Sequence, residues 1–243
     1  MNLLQRAAVP ASILMFAACG GGGGDSGNSG FVPPTDVFNV RAAWQNLLAA
    51  GGTWSGITGR ANDNRTFVVS VQTAPGPAQA FPLGGVTYNR SVQTVTTVVN
   101  GGSPSVAVNE LFVDAGLLWR GSRHSIDNAA PTCDAPTAAS QLPPMAATFD
   151  TVGTPVTGGL LAGTLYGSCI NTNSVLGSAS TTWSLEFEAG IVYFCLNTTS
   201  QDMALVPNVT TESDCIQVAP DGTLRSRARI TLRSAGFELI ARN

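Results

Sequence analysis

The only histidine among the 243 residues, His124, sits in the run Arg120-Gly121-Ser122-Arg123-His124-Ser125. A lone imidazole beside two guanidiniums has the chemistry of a general base or of part of an anion site. In a Ser-His-Asp arrangement it would have to be the base, yet no Gly-x-Ser-x-Gly turn marks a nucleophile. Its simplest reading is a polar residue at a strand end. A second pattern runs from Thr223 to Arg233. With side chains alternating at period two, Leu224, Ala228, Ile230 and Leu232 share one face. Arg225, Arg227, Arg229 and Arg233 share the other, as a candidate grip for an anionic glycan or lipid phosphate. The competing reading is a solvated face whose charges are met across strands by Glu186, Glu188 or Glu238. Glu186 and Glu188 would lie two residues apart on one strand face, close to a turn, and read as surface residues rather than a glycosidase pair.

Composition narrows the chemistry further. All 12 basic residues are arginine, so the chain has no lysine for a Walker A loop, a Schiff base or a Ser-x-x-Lys nucleophile. One histidine rules out a multi-histidine metal site. A net charge of -3 argues against nucleic-acid binding, which needs a basic face. No dinucleotide fingerprint or EF-hand loop is present, and no cofactor or metal is expected.

Arg6 and the terminal amine make a short positive region, followed by an apolar run from Ala7 to Ala17, about a dozen residues, too short to span a bilayer and of the length of a signal-peptide core. The run ends Phe16-Ala17-Ala18-Cys19-Gly20, which resembles the lipobox of bacterial lipoprotein precursors. The resemblance covers residues 1–19. It implies cleavage before Cys19, lipidation of Cys19, and a membrane anchor through the lipid. Gly20 after the cysteine implies sorting to the outer membrane. Residues 19–34, opening with five glycines from Gly20 to Gly24, read as a flexible tether with a reach of about 20 Å.

Setting aside Cys19, four cysteines remain of the five: Cys133, Cys169, Cys195 and Cys215. An exported chain meets an oxidising compartment, so an even number favours disulfides. Three pairings are open, and the preferred one is Cys133–Cys169 with Cys195–Cys215. The second bridge would close a loop of about 20 residues, worth ~3 kcal/mol in the chain-entropy model.

The elements that must carry these residues are mostly strands. Val37, Val40, Trp44, Leu47 and Leu48 recur at helical spacing behind a cap at Thr35 or Asp36, and Gly51-Gly52 ends the run. This predicts one amphipathic helix over 37–50. Beyond it, Phe67, Val69 and Val71 alternate with polar partners. Val86 to Val99 is rich in β-branched residues. Asn100-Gly101-Gly102 reads as a hairpin turn. Trp183, Leu185 and Phe187 alternate with Ser184, Glu186 and Glu188, as in a half-buried antiparallel strand. A polar-Ala-Gly turn recurs at Gly116, Gly190 and Gly236, each glycine expected at positive φ.

The expected architecture is mainly β: an antiparallel sandwich or a partly open barrel, with one short N-terminal helix and two disulfides. Residues 35–124 would form one β-rich half. The Pro/Ala/Thr-rich run 125–158 would connect it to a disulfide-stapled half, 159–243. The expected function is a lipid-anchored envelope protein that works by binding or as a structural module. Its partners would be the membrane, an envelope protein or an anionic glycan. The alternatives are a module binding anions through the arginine strand, and a hydrolase with His124 as base.

Overall fold

The computed structural model describes residues 36–149, 156–203 and 208–243. Thr35, Cys19, the signal-like segment and the tether lie outside them, as does Pro155. A short α-helix, α1 (Val40–Gln45), runs into a π-turn at Asn46–Ala50. Twelve strands follow: β1 (Gly52–Ala61), β2 (Thr66–Ala80), β3 (Thr87–Val99), β4 (Ser105–Val113), β5 (Trp119–Ile126), β6 (Thr132–Pro136), β7 (Val156–Tyr166), β8 (Val175–Glu188), β9 (Ile191–Asp202), β10 (Asn208–Val218), β11 (Leu224–Ser234) and β12 (Phe237–Arg242). Each strand pairs antiparallel with the next, and β12 pairs back onto β1 through Thr58–Ala61 against Leu239–Arg242. The protein is therefore a closed up-and-down barrel, neither a sandwich nor partly open.

The expected division into two β-rich halves also gives way. The run 125–158 contains β6, which pairs with β5 on one side and β7 on the other. The sheet passes through this segment without a break. The two cysteine pairs form as preferred. Cys133–Cys169 joins β6 to the β7–β8 connection, and Cys195–Cys215 joins facing positions of β9 and β10.

The helix starts later than its hydrophobic spacing suggested. Asn39 is the cap, its Oδ1 accepting from Ala42 N at 2.9 Å, and Val37 stays outside, 55% exposed. Val40, Trp44, Leu47 and Leu48 are buried as expected. Gly51, at φ 70°, ends the π-turn. In a meander every second connection returns to the same end, and the helix sits across that mouth. Asn39 N donates to Pro220 O, Arg41 N to Pro144 O, and Trp44 Nε1 to Leu117 O. These carbonyls belong to the β10–β11, β6–β7 and β4–β5 connections. Gly222 permits the approach: it holds φ 86°, and a Cβ there would stand 2.6 Å from Asn39 O and from Ala42 Cβ.

The turns follow local chemistry except at Leu117 and at Ala189, which takes φ 49° before Gly190. Asn100 and Gly101 take positive φ in the β3–β4 turn, as do Gly190 and Gly236 in theirs. In the first polar-Ala-Gly turn Leu117, not Gly116, takes it, at φ 62°. There Asp114 Oδ1 accepts from Gly116 N and Leu118 N, which sets a longer loop.

A ring of twelve strands encloses more width than eight, so ordinary side chains leave space at its centre. All four tryptophans are buried and help fill it: Trp44 from the helix, Trp54 from β1, Trp119 from β5 and Trp183 from β8. The glycines of β7 make room for two of them. A Cβ on Gly158 would lie 2.6 Å from Trp183 Nε1, and one on Gly163 2.6 Å from the Trp119 ring and 2.9 Å from Ala135 O. Gly163→Ala is thus expected to destabilise the fold by about 1–3 kcal/mol, whereas Gly84→Ala, with nothing within 4 Å of its Cβ, leaves it unchanged. Thermal unfolding of the two variants checks this.

Candidate functional site

The inward faces of β10 and its neighbours mix apolar and acidic residues. Ile216 and Val218 share the parity of Glu212 and Asp214 on β10, so all four point into the barrel. Glu212 is buried and faces Thr198 of β9 across the ladder. Asp214 faces Leu196 of β9 and Ile230 of β11. Neither acid has an ion-pair partner among the described residues. Burial pushes the Asp214 carboxyl up to about 7. Burial, and then the charge of Asp214, push Glu212 well above the usual carboxylate range.

Asp214 opens onto a cavity of about 50 Å³ between the helix and the barrel wall. Trp44, Leu47 and Leu48 close it from the helix side; Trp54, Ile57, Phe194 and Ile230 are among its walls. Its polar lining comes from Asp214, Thr73, Ser91, Gln93 and Arg229, whose guanidinium is held by Glu186 and Glu188. Asp214 Oδ1 and the buried Thr73 Oγ1 have no hydrogen-bond partner among the described residues. An unsatisfied buried hydroxyl or carboxyl oxygen costs about 1–3 kcal/mol, so such groups mark a place built for something other than packing.

Gln93 connects the cavity to His124. Asn109 Nδ2 donates to Gln93 Oε1 at 3.1 Å, and His124 Nδ1 lies 3.1 Å from Asn109 Oδ1. On the far side, His124 Nε2 lies 2.7 Å from Asp134 Oδ2. His124 is not a strand-end residue: it is 2% exposed, on the inward face of β5. Both ring nitrogens are taken up by Asn109 and Asp134, which in this arrangement leaves neither for a substrate proton.

The arginine strand alternates as read, with Ala228 and Ile230 inward and the arginines outward. Its guanidiniums do not act as one ladder. Arg229 is held by Glu186 and by Glu188 at 2.7 Å, lies over the Tyr193 ring, and sets Nη2 3.0 Å from Cys215 Sγ. Burial works against its charge, and the two glutamates more than offset that, raising its pKa. Arg233 pairs with Glu238 at 2.8 Å. Arg225 and Arg227 remain exposed at the mouth end of β11. The cross-strand glutamates therefore meet two of the four candidate arginines.

The sequence reading did not single out Glu212, Asp214 or Thr73. The signal was present in β10, where the acids share parity with Ile216 and Val218 and so fall on the core face. No protein-family model, curated protein or solved structure matches the chain.

A carboxyl whose pKa is raised on folding binds protons in the folded state that the unfolded chain has released. Stability from Asp214 is full below about pH 4 and is lost as pH rises through about 7. Asp214→Asn removes this loss. The variant is expected to be more stable than the parent at pH 8, on the order of a few kcal/mol, and to differ little at pH 4. Denaturant unfolding at the two pH values reads the difference.

Proposed function

We propose that this chain is an exported, lipid-anchored barrel that binds a small molecule in the cavity beneath its helix, and that it acts by binding rather than by chemistry. The observation that carries the reading is the cavity itself. An apolar wall with a few convergent polar groups is the usual make-up of a small-molecule site. Here those groups include one carboxyl and one hydroxyl left unpaired by the protein.

The cellular setting rests on other features. Two disulfides favour an oxidising, extracytoplasmic compartment. The Phe16-Ala17-Ala18-Cys19-Gly20 run supports a lipid on Cys19, with the glycine tether holding the barrel off the outer membrane. The outward positions of β8 to β10 include Ser178, Ser180, Ser184, Asn197, Thr199 and Thr211. A wall of this kind is unlike the continuous apolar band of a lipid-facing barrel, so the anchor would fall to the lipid. A second reading gives Arg225 and Arg227 contact with anionic headgroups or glycans. Their exposure at the mouth end favours it.

Two experiments test these statements. In cell fractionation, Cys19→Ser is expected to move the protein from the membrane to the soluble fraction. A residual association that salt releases, and that Arg225→Gln with Arg227→Gln abolishes, would mark the second reading. Retention of Cys19→Ser in salt-washed membranes would overturn the anchor. For the cavity, Trp44 and Trp54 report occupancy by their fluorescence. Titration with short-chain alcohols, amines and acids is expected to give a saturable change with at least one class, lost in Ile230→Phe, whose ring fills the space. If no class changes the signal, or if Ile230→Phe responds like the parent, the binding reading fails.

A further inference from the structure

Resting on the reading of the barrel as a small-molecule binder, we infer that its cavity is an aromatic and carboxylate cage for a short alkylammonium cation. Trp44, Trp54 and Phe194 line the same space as the Asp214 carboxyl. Aromatic faces attract ammonium groups through the ring quadrupole, the more strongly when the cation is desolvated. A carboxylate beside them supplies the counter-charge. This pairing of groups suits a cation and serves neither an anion nor a plain hydrocarbon.

A second observation points the same way. Thr73 is 6% exposed, lines the cavity, and leaves its Oγ1 without a partner. A threonine oxygen can accept from an N–H, and Asp214 Oδ1 is free to accept another. Arg229 also lines the cavity, but its guanidinium is taken up by Glu186 and Glu188, and among the described residues no ion pair reaches Asp214. The chain has no lysine. The strand that faces Asp214 sends Arg229 and Arg233 outward to Glu186, Glu188 and Glu238. His124 is engaged with Asp134 and Asn109. Asp214 in the cavity wall, and Glu212 beside it on β10, thus have no ion-pair partner among the described residues, whereas Glu186 and Glu188 on the outer wall of β8 each meet an arginine.

Size sets the rest. A cavity of about 50 Å³ has room for about four water-sized atoms, taking 10–15 Å³ for each. Apolar walls from Ile57, Leu111 and Ile230 favour carbon on the remaining atoms. A cation of three or four heavy atoms, or the head of a longer amine, fits this description.

The test uses the full chain and three probes of nearly equal size: n-propylammonium, n-propanol and propionate. Calorimetry at pH 8 measures their affinities for the parent, for Asp214→Asn and for Thr73→Val. Propylammonium is expected to bind at least about tenfold tighter than propanol, with propionate undetected. Asp214→Asn is expected to remove that advantage while leaving propanol unchanged, and Thr73→Val to weaken the amine alone. Asp214→Asn is expected to fold at least as well as the parent at this pH, so a loss there reads the site. Equal binding of propanol and propylammonium, or an amine affinity that survives Asp214→Asn, overturns the cation cage and leaves the small-molecule reading intact. No binding by any probe, with waters alone meeting Asp214 and Thr73, overturns both.

Discussion

Pairing β12 back onto β1 commits the chain to a ring, and a ring of twelve strands is wide. An open sheet could bury one face with ordinary aliphatic side chains. A closed one must fill a central space from its own wall or leave it empty. The seam that imposes this is short, running from Thr58–Ala61 to Leu239–Arg242. Where β12 stops, side chains take over from the ladder. Asn243 Nδ2 donates to both Ser55 O and Ser226 O, and Trp54 Nε1 donates to Arg225 O at 2.7 Å. The tryptophan that walls the cavity therefore also holds the barrel shut. Much of the interior follows from this width: the inward tryptophans, the glycine notches on β7, the helix drawn into the mouth, and the space that remains beneath it.

Width also explains the polarity of the centre. Hydrophobic side chains long enough to meet across the ring crowd the mouth end, around Trp44, Leu185 and Phe194. Farther along, the inward positions turn polar. The linked groups Asp134, His124, Asn109 and Gln93 bridge β6 to β3. Thr181 and Thr198 leave buried hydroxyls without partners, as Thr73 does. Such groups cost stability unless water or a ligand meets them. On the outer wall the same residue types behave differently. Glu186 and Glu188 share Arg229 and Arg242, and Glu110 takes Arg90 and Arg123. Among the described residues Glu110, Glu186 and Glu188 on the outer wall each meet an arginine, whereas Glu212 and Asp214 inside meet none, and that contrast gives the cavity its chemistry.

Much of the wall was legible as sequence, because strand alternation is a local signal. Phe67, Val69 and Val71, then Trp183, Leu185 and Phe187, announced their faces by period two, and the arginines of β11 announced theirs. Glu238, opposite Arg233 on β12, was legible for the same reason, whereas Glu186 and Glu188 reach Arg229 from β8, with β9 and β10 between. Closure was not, since the β1–β12 pairing joins residues at opposite ends of the described chain and no local pattern encodes it. The Pro-rich run around β6 looked like a linker because β6 is only five residues long and ends at Pro136. His124 was read as a strand-end residue because its neighbours Arg120, Ser122, Arg123 and Ser125 are polar, whereas the partners that hold it inside, Asn109 and Asp134, come from the adjoining strands. Glu212 and Asp214 are of types that usually face water, so composition alone places them outside. The parity of Ile216 and Val218 contradicts that placement.

The helix links these themes. One short segment supplies the Trp44, Leu47 and Leu48 face of the cavity and also makes the hydrogen bonds that close the mouth. It can do so because its π-turn, closed by Gly51 N donating to Asn46 O at 2.8 Å, widens the last turn and sets Leu47 and Leu48 side by side toward β2. Anything that binds beneath the helix in the folded barrel, and not in the unfolded chain, stabilises the fold by mass action. Part of that stabilisation would reach the mouth through Trp44, whose ring lines the cavity while its Nε1 holds Leu117 O. Filling the centre and shutting the end are thus one packing problem, solved by the segment that lies between the barrel and the residues that precede it.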